Sequence, residues 1–154
     1  MIMDVEPTDA QLERFARELG DDGPVVMVNL NRYRERAAYP DGTAVGDRDV
    51  SGRQAYDRYG AVALRATAEV GARPLWGAPA AGLGPLIGDD EADRWDEILC
   101  IWYPSRAAFL RMLAIDWYAD ALVHRRAALE RAVIFPVAAR SEPVLDLSTL
   151  AVGA

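Results

Sequence analysis

Apolar positions along this chain switch repeatedly between the spacing of a helix and that of a strand. Thr8-Asp9-Ala10-Gln11 has the form of a capping box, and Leu12, Phe15, Ala16 and Leu19 follow at i, i+3, i+4 and i+7 before Gly20. This predicts a short amphipathic helix. After the turn Asp21-Asp22-Gly23-Pro24, the run Val25 to Leu30 is rich in β-formers and bounded by breakers, as a strand should be. Its alternation separates Val26, Val28 and Leu30 from Met27, Asn29, Asn31 and Tyr33, so the second face is expected to meet a polar or ligand-filled space.

Arg32 to Val50 has no clear period and carries the turn Tyr39-Pro40-Asp41-Gly42, which predicts a long loop. Ser51-Gly52-Arg53-Gln54 is a second capping box, and Ala55, Tyr59, Val62, Ala63, Ala66 and Val70 trace one helical stripe ending at Gly71. Arg73 to Ala80 reads as a short strand and Trp95 to Tyr103 as a longer one, closed by Pro104. Ser105 caps a helix through Leu113, Asp116 caps another from Trp117 to about Arg131, and Val133 to Val137 forms the last strand.

Beyond the first helix the order is β-α-β-β-α-β, the ferredoxin-like arrangement, an α+β fold with a four-stranded antiparallel sheet and helices on one face. The domain spans 23–140 with a loop insertion at 32–50, preceded by an N-terminal helix in 1–22 and followed by a tail at 141–154. The other sheet face, taken to be the one with Asn29 and Asn31, is expected to pack on a second copy. The result would be a homodimer, a dimeric α/β barrel, whose facing sheets enclose a cavity for a small-molecule ligand.

Composition narrows the chemistry. The chain has 154 residues, 51% hydrophobic and 27% charged, enough for one well-ordered domain. A net charge of −7 repels polyphosphate, so neither nucleic acid nor an anionic membrane is expected as a partner. All 17 basic residues are Arg; without Lys there is no Schiff-base lysine, pyridoxal-phosphate aldimine or P-loop lysine. Cys100 and His124 are single, which excludes an internal disulfide and a Cys/His zinc cluster.

Met1 to Asp9 carries acids where an export signal needs Arg or Lys, so the protein is expected to be cytoplasmic. The acidic run Asp89 to Asp93 lacks calcium-loop spacing, and Gly82 to Gly88 has the wrong spacing for a dinucleotide loop. No flavin, haem or metal is expected.

Several spaced elements carry a resemblance. Pro24 to Leu30, Tyr39-Pro40, Ser51-Gly52 with Ala55-Tyr56 and Arg58-Tyr59-Gly60, Trp95-Asp96, Tyr103-Pro104-Ser105-Arg106 with Ala108-Phe109, Met112, Tyr118 and His124-Arg125 resemble a bacterial domain-of-unknown-function family, thirteen-thirty. The likeness runs from about Gly23 to Val137, and its elements are more specific together than singly. The resemblance implies the dimeric α/β-barrel superfamily. That superfamily includes cofactor-free oxygenases of aromatic polyketides, muconolactone-type isomerases, haem enzymes and non-catalytic binders, so fold alone does not choose among them. Asn31, Ala72 and Trp102 depart from the family pattern, which points to a pocket specialised for an apolar or aromatic ligand.

His124 is the only side chain whose ordinary pKa, about 6.5, suits proton transfer near neutrality, and it sits in the family-like His-Arg pair. A boundary histidine bonded to a carbonyl or to Asp120 is the competing reading. Asp96 is expected either to orient His124 or to start the strand, and Tyr103, Tyr56 and Tyr59 offer hydroxyls or simply fill core. Asn29 and Asn31 can hold an oxyanion or bond across a dimer interface, while Arg32 and Arg125 can clamp a carboxylate or form surface ion pairs.

Met27, Trp76, Trp95 and Trp102 complete the expected lining, and Cys100 is expected to be a buried, inert thiol. Two functions fit: a cofactor-free isomerase, cyclase or oxygenase acting on an apolar or aromatic carbonyl-bearing metabolite with His124 as acid/base, or a non-catalytic ligand-binding protein using the same cavity.

Overall fold

A computed structural model describes residues 5–18 and 22–139. The Thr8–Gln11 box forms: the Gln11 N–H donates to Thr8 Oγ1 at 3.2 Å and the Thr8 N–H to Gln11 Oε1 at 2.8 Å, opening helix α1 (Asp9–Glu18). Leu12 and Phe15 of its stripe pack on the core. Leu19 and Gly20, expected to close this helix, lie outside the described residues, as does the expected tail at 141–154.

The remaining elements are β1 (Val25–Tyr33), α2 (Gly52–Glu69), β2 (Arg73–Pro79), β3 (Glu97–Tyr103), α3 (Arg106–Leu113), α4 (Asp116–Ala128) and β4 (Leu129–Ala138). The sheet order is β2-β3-β1-β4 with every neighbour antiparallel, so the ferredoxin-like topology holds. Two of the three predicted caps of the main domain form; the expected Asp116 cap does not, because Asp116 is already the first residue of α4, whose N-cap Ile115 makes no side-chain capping bond. Ser51 accepts from the Gln54 N–H while Gln54 returns to Ser51, and Ser105 accepts from the Ala108 N–H. Gly71, at φ 75°, ends α2 where a side chain would be strained.

Two larger expectations are corrected as well. The first is the end of α4. The Ala- and Arg-rich sequence continues a helical period to Arg131, yet α4 stops at Ala128 and Leu129 is already in β4, fully buried and paired with Tyr33. Pairing with the central strand outweighs local helix propensity here, and no loop separates helix from strand.

The second concerns the sheet faces. Asn29 and Asn31 share their face with Leu99 and Glu97 across the ladder, and this face also carries Val25 and Met27, which pack with Tyr59, Phe109, Met112 and Tyr118 of the helices. The helices therefore cover the face that carries both asparagines. The face without a described helix is the apolar one: Val26, Val28 and Leu30 of β1 beside Ile98, Cys100 and Trp102 of β3, and Val133, Phe135 and Val137 of β4. Phe135 is 54% and Val137 43% exposed there.

The loop from 34 to 51 is tied down rather than loose. The Arg34 N–H donates to the Ala128 carbonyl, the Ala38 N–H to Ala127 and the Gly52 N–H to Arg34. A Cβ on Gly52 would lie 2.3 Å from the Arg34 carbonyl oxygen and 2.6 Å from that of Ala128, so glycine is required where loop, α2 and α4 meet. No helix among the described residues is long and apolar enough to cross a membrane.

Candidate functional site

Between the helices and the covered sheet face lies a cavity of about 800 Å³. Met27, Leu99, Ile101, Tyr103, Phe109 and Met112 give it apolar walls, and the exposed Leu64, Leu75 and Trp76 form its rim. Gly77 stands on the same side: a Cβ there would come within 2.4 Å of Leu99 Cδ2, so its lack of a side chain keeps that wall open. A second lobe of about 620 Å³ runs under α1 and shares with the first the apolar Leu12, Met27, Phe109 and Ile134 and the charged Glu6 and Arg125.

Polar groups gather at the β1–β3 end. Glu97, 6% exposed, lines the cavity; its Oε1 accepts from Arg53 Nη1 at 2.8 Å and its Oε2 from the Tyr33 hydroxyl. Arg53 Nη1 also donates to the Tyr33 oxygen at 3.3 Å, which leaves the phenol proton for Glu97. Burial first, then the hydrogen bond to Glu97, hold the Tyr33 hydroxyl far above the ordinary tyrosine range, and it is a fixed donor at neutral pH. Asn29 spends its amide N–H groups on the Met27 carbonyl at 3.1 Å and the Leu99 carbonyl at 3.4 Å, leaving its oxygen for the cavity. The arrangement can place a carboxylate base and hydrogen-bond donors beside an apolar molecule.

Of the residues predicted from sequence, Met27, Asn29, Tyr56, Tyr59, Trp76, Tyr103 and Arg125 line this cavity, and Asn31 is buried without lining it. Tyr103 is packed core: its hydroxyl donates to Met112 Sδ at 3.7 Å, and burial holds it well above the ordinary range. The others are elsewhere. Trp102 points to the opposite sheet face, because its Cα partner is Val26.

Arg32 donates to the Arg94 carbonyl at 2.7 Å and to the Glu91 carbonyl, and Trp95 is sandwiched by cation–π contacts to Arg32 at 5.7 Å and Arg131 at 4.7 Å. These residues pin the acidic loop. Asp96 accepts the Tyr33 N–H at 2.8 Å at the start of β3 and does not reach His124. Cys100, expected to be buried, is only half-buried, and burial raises its pKa.

His124 is the most consequential displacement. Its Nδ1 lies 2.8 Å from the Tyr39 hydroxyl, and the two rings meet edge to face, on the loop side of α4. It is not among the residues lining either lobe. Desolvation first, then the charge of Arg58, lowers its pKa and favours neutral imidazole.

Sequence reasoning passed over Glu97 and Arg53. The available signal was a carboxylate in register with Leu99, Ile101 and Tyr103, the core-facing positions of β3. A charge at such a position demands a partner. Among the described residues no group of three or more His, Cys, Asp or Glu side chains is gathered to hold a metal ion.

The fold defines an α+β protein of ferredoxin-like topology with a cavity between its layers. The chain belongs to the family of RPA0582, a Rhodopseudomonas palustris protein of unknown function: over 86% of this chain and 94% of that one the identity is 32% and the TM-score 0.75. The methylated form of RPA0582 matches with 34% identity and a TM-score of 0.76 over 89% of this chain and 95% of that one. A hydroxynitrile lyase from Passiflora edulis matches only loosely, at 16% identity and a TM-score of 0.45 over 79% of this chain and 98% of that one. No family model and no curated protein matches the chain.

Proposed function

We propose that the cavity between helices and sheet is a small-molecule site for an apolar or aromatic carbonyl-bearing metabolite, and that Glu97 moves a proton there. The supporting observation is a carboxylate, itself 6% exposed, on the wall of a largely apolar chamber and steadied by Tyr33 and Arg53. Each carboxylate oxygen carries two lone pairs, so each retains an acceptor site for substrate. In the proposed step a Glu97 oxygen takes a proton from the carbon next to the carbonyl, and the electron pair moves onto the carbonyl oxygen to give an enolate. Return of that proton to another carbon isomerises the substrate; attack by the enolate within the same molecule cyclises it. An oxygenase of this kind would begin with the same deprotonation.

Phenylacetone in D2O tests the step without knowledge of the natural substrate. Exchange of its acidic C–H for deuterium, followed by proton NMR, is expected with the native protein and should fall ~10²–10⁴-fold in Glu97→Gln. A second reading, ligand binding without catalysis, is favoured by the fact that both Glu97 oxygens are already bonded within the protein. Cavity binding of phenylacetone without exchange would establish that reading instead.

We also propose that the protein is a cytoplasmic homodimer of the thirteen-thirty kind, without nucleic-acid or membrane partners. A second copy of the sheet would cover Val28, Phe135 and Val137, since the helices already cover the Asn29/Asn31 face. Sedimentation should show a dimer at micromolar concentration that Phe135→Glu splits. A monomeric native protein removes this proposal.

A further inference from the structure

Where the two lobes meet, the polar groups do not cancel. Arg125, in the last turn of α4, is 6% exposed and lines both lobes. Among the described residues it meets one acceptor, the Val5 carbonyl, and no carboxylate stands within ion-pair distance; Glu6 pairs with Arg126 at 3.0 Å instead. A buried guanidinium normally has a counter-charge, because stripping its water is otherwise uncompensated.

Two further donors stand near it. The Tyr56 hydroxyl lines the cavity, and Asn31, at 1% exposure, turns its amide toward the Tyr56 oxygen rather than toward any other partner among the described residues. Tyr56 connects them. Burial chiefly, with Tyr59 adding, pushes its hydroxyl up to about 12, while the Arg125 charge and the Asn31 amide pull the other way. Both therefore act on one oxygen atom, and at neutral pH that oxygen still carries its proton.

The Arg125 charge and the Tyr56 O–H thus face the chamber where its carboxylates are engaged by other arginines, Glu6 by Arg126 and Glu97 and Asp57 by Arg53. We infer that the cavity takes an organic carboxylate, its two oxygens seated against Arg125 and Tyr56 and its apolar or aromatic body lying along Met27, Phe109 and Ile134. The planar guanidinium fork suits a carboxylate, which supplies the missing counter-charge. A neutral carbonyl would leave the charge uncompensated. The inference rests on the reading of the cavity as the ligand site and narrows its substrate class to acids.

Calorimetric titration with matched pairs separates the two claims. With native protein, 4-phenylbutanoate and decanoate should bind at least tenfold more tightly than 4-phenylbutanol and decanol. Arg125→Gln should erase that preference by weakening the acids at least tenfold relative to the alcohols, and Tyr56→Phe, which keeps the ring, should reduce it severalfold. Equal binding of acids and alcohols by the native protein overturns the carboxylate inference but leaves the cavity as a site. So does a preference that survives Arg125→Gln; if that variant does not fold, the native ratio and Tyr56→Phe decide. If neither acids nor alcohols bind, and the neutral dye N-phenyl-1-naphthylamine is not taken up, the reading of the cavity itself fails.

Discussion

Two clusters in this protein are built alike and placed differently. In each, an arginine of α2 donates to a tyrosine oxygen, and that tyrosine bonds to a group able to hold a proton: Arg53, Tyr33 and Glu97 in one, Arg58, Tyr39 and His124 in the other. The Glu97 cluster forms part of the wall of a chamber. The His124 cluster sits where the 34–51 loop lies on α4, outside both lobes. The residue with the more suitable solution pKa is therefore in the less suitable place, and geometry rather than residue type assigns the roles.

The largest expected contrast is in rate. Glu97→Gln should remove deuterium exchange by the ~10²–10⁴-fold given above, whereas His124→Gln should leave it within about twofold, since general acid/base catalysis requires contact with the reacting atoms. Loss of exchange in His124→Gln with a normal melting curve would reverse the assignment.

Stability should separate the two tyrosines by less. Tyr33→Phe leaves a Glu97 oxygen buried without its donor, at a cost of about 1–3 kcal/mol, the usual penalty for an unsatisfied buried group. Tyr39→Phe removes bonds to a histidine that water can reach, and should cost about 0.5–1.5 kcal/mol. Urea denaturation of both variants measures the difference, and equal losses would show that the clusters are equally shielded.

The smallest effect is a pH dependence confined to the outer cluster. His124 has a folded pKa below its unfolded value of about 6.5, so beneath that pH the unfolded chain binds more protons and stability falls as pH falls. The fall should begin near pH 6.5, continue down to the lowered folded value, shrink in Arg58→Gln and vanish in His124→Gln. A melting temperature that varies identically with pH in native protein and His124→Gln would show the imidazole to be indifferent to folding.

The order of elements was legible because its signals are local. Capping boxes at Thr8, Ser51 and the Ser105 cap depend on residues three apart, and strand β1 announces itself by Val25 to Leu30 between Gly23-Pro24 and a loop. Which face of β1 the helices cover is not local. Alternation distinguishes Val26, Val28 and Leu30 from Met27, Asn29 and Asn31, but the covering choice depends on what α2 and β3 bring opposite. They bring Tyr56, Arg53 and Glu97, polar partners for a polar strand face, and the more apolar face is left for another surface. The same non-local dependence hid Glu97, whose significance comes from its cross-strand neighbour Asn31.

The missing loop between α4 and β4 has a mechanical consequence. Arg125 stands four residues before Leu129, whose N–H closes the last helical bond onto the Arg125 carbonyl while Leu129 itself pairs in the sheet. The guanidinium is thus indexed to the ladder, with no flexible joint to absorb an error between them. Inserting one residue after Ala128 would either turn α4 by about 100° about its axis or slip β4 by one position and exchange its two faces. At this seam a single added residue either swings Arg125 away from both lobes or turns the buried side of β4 outward.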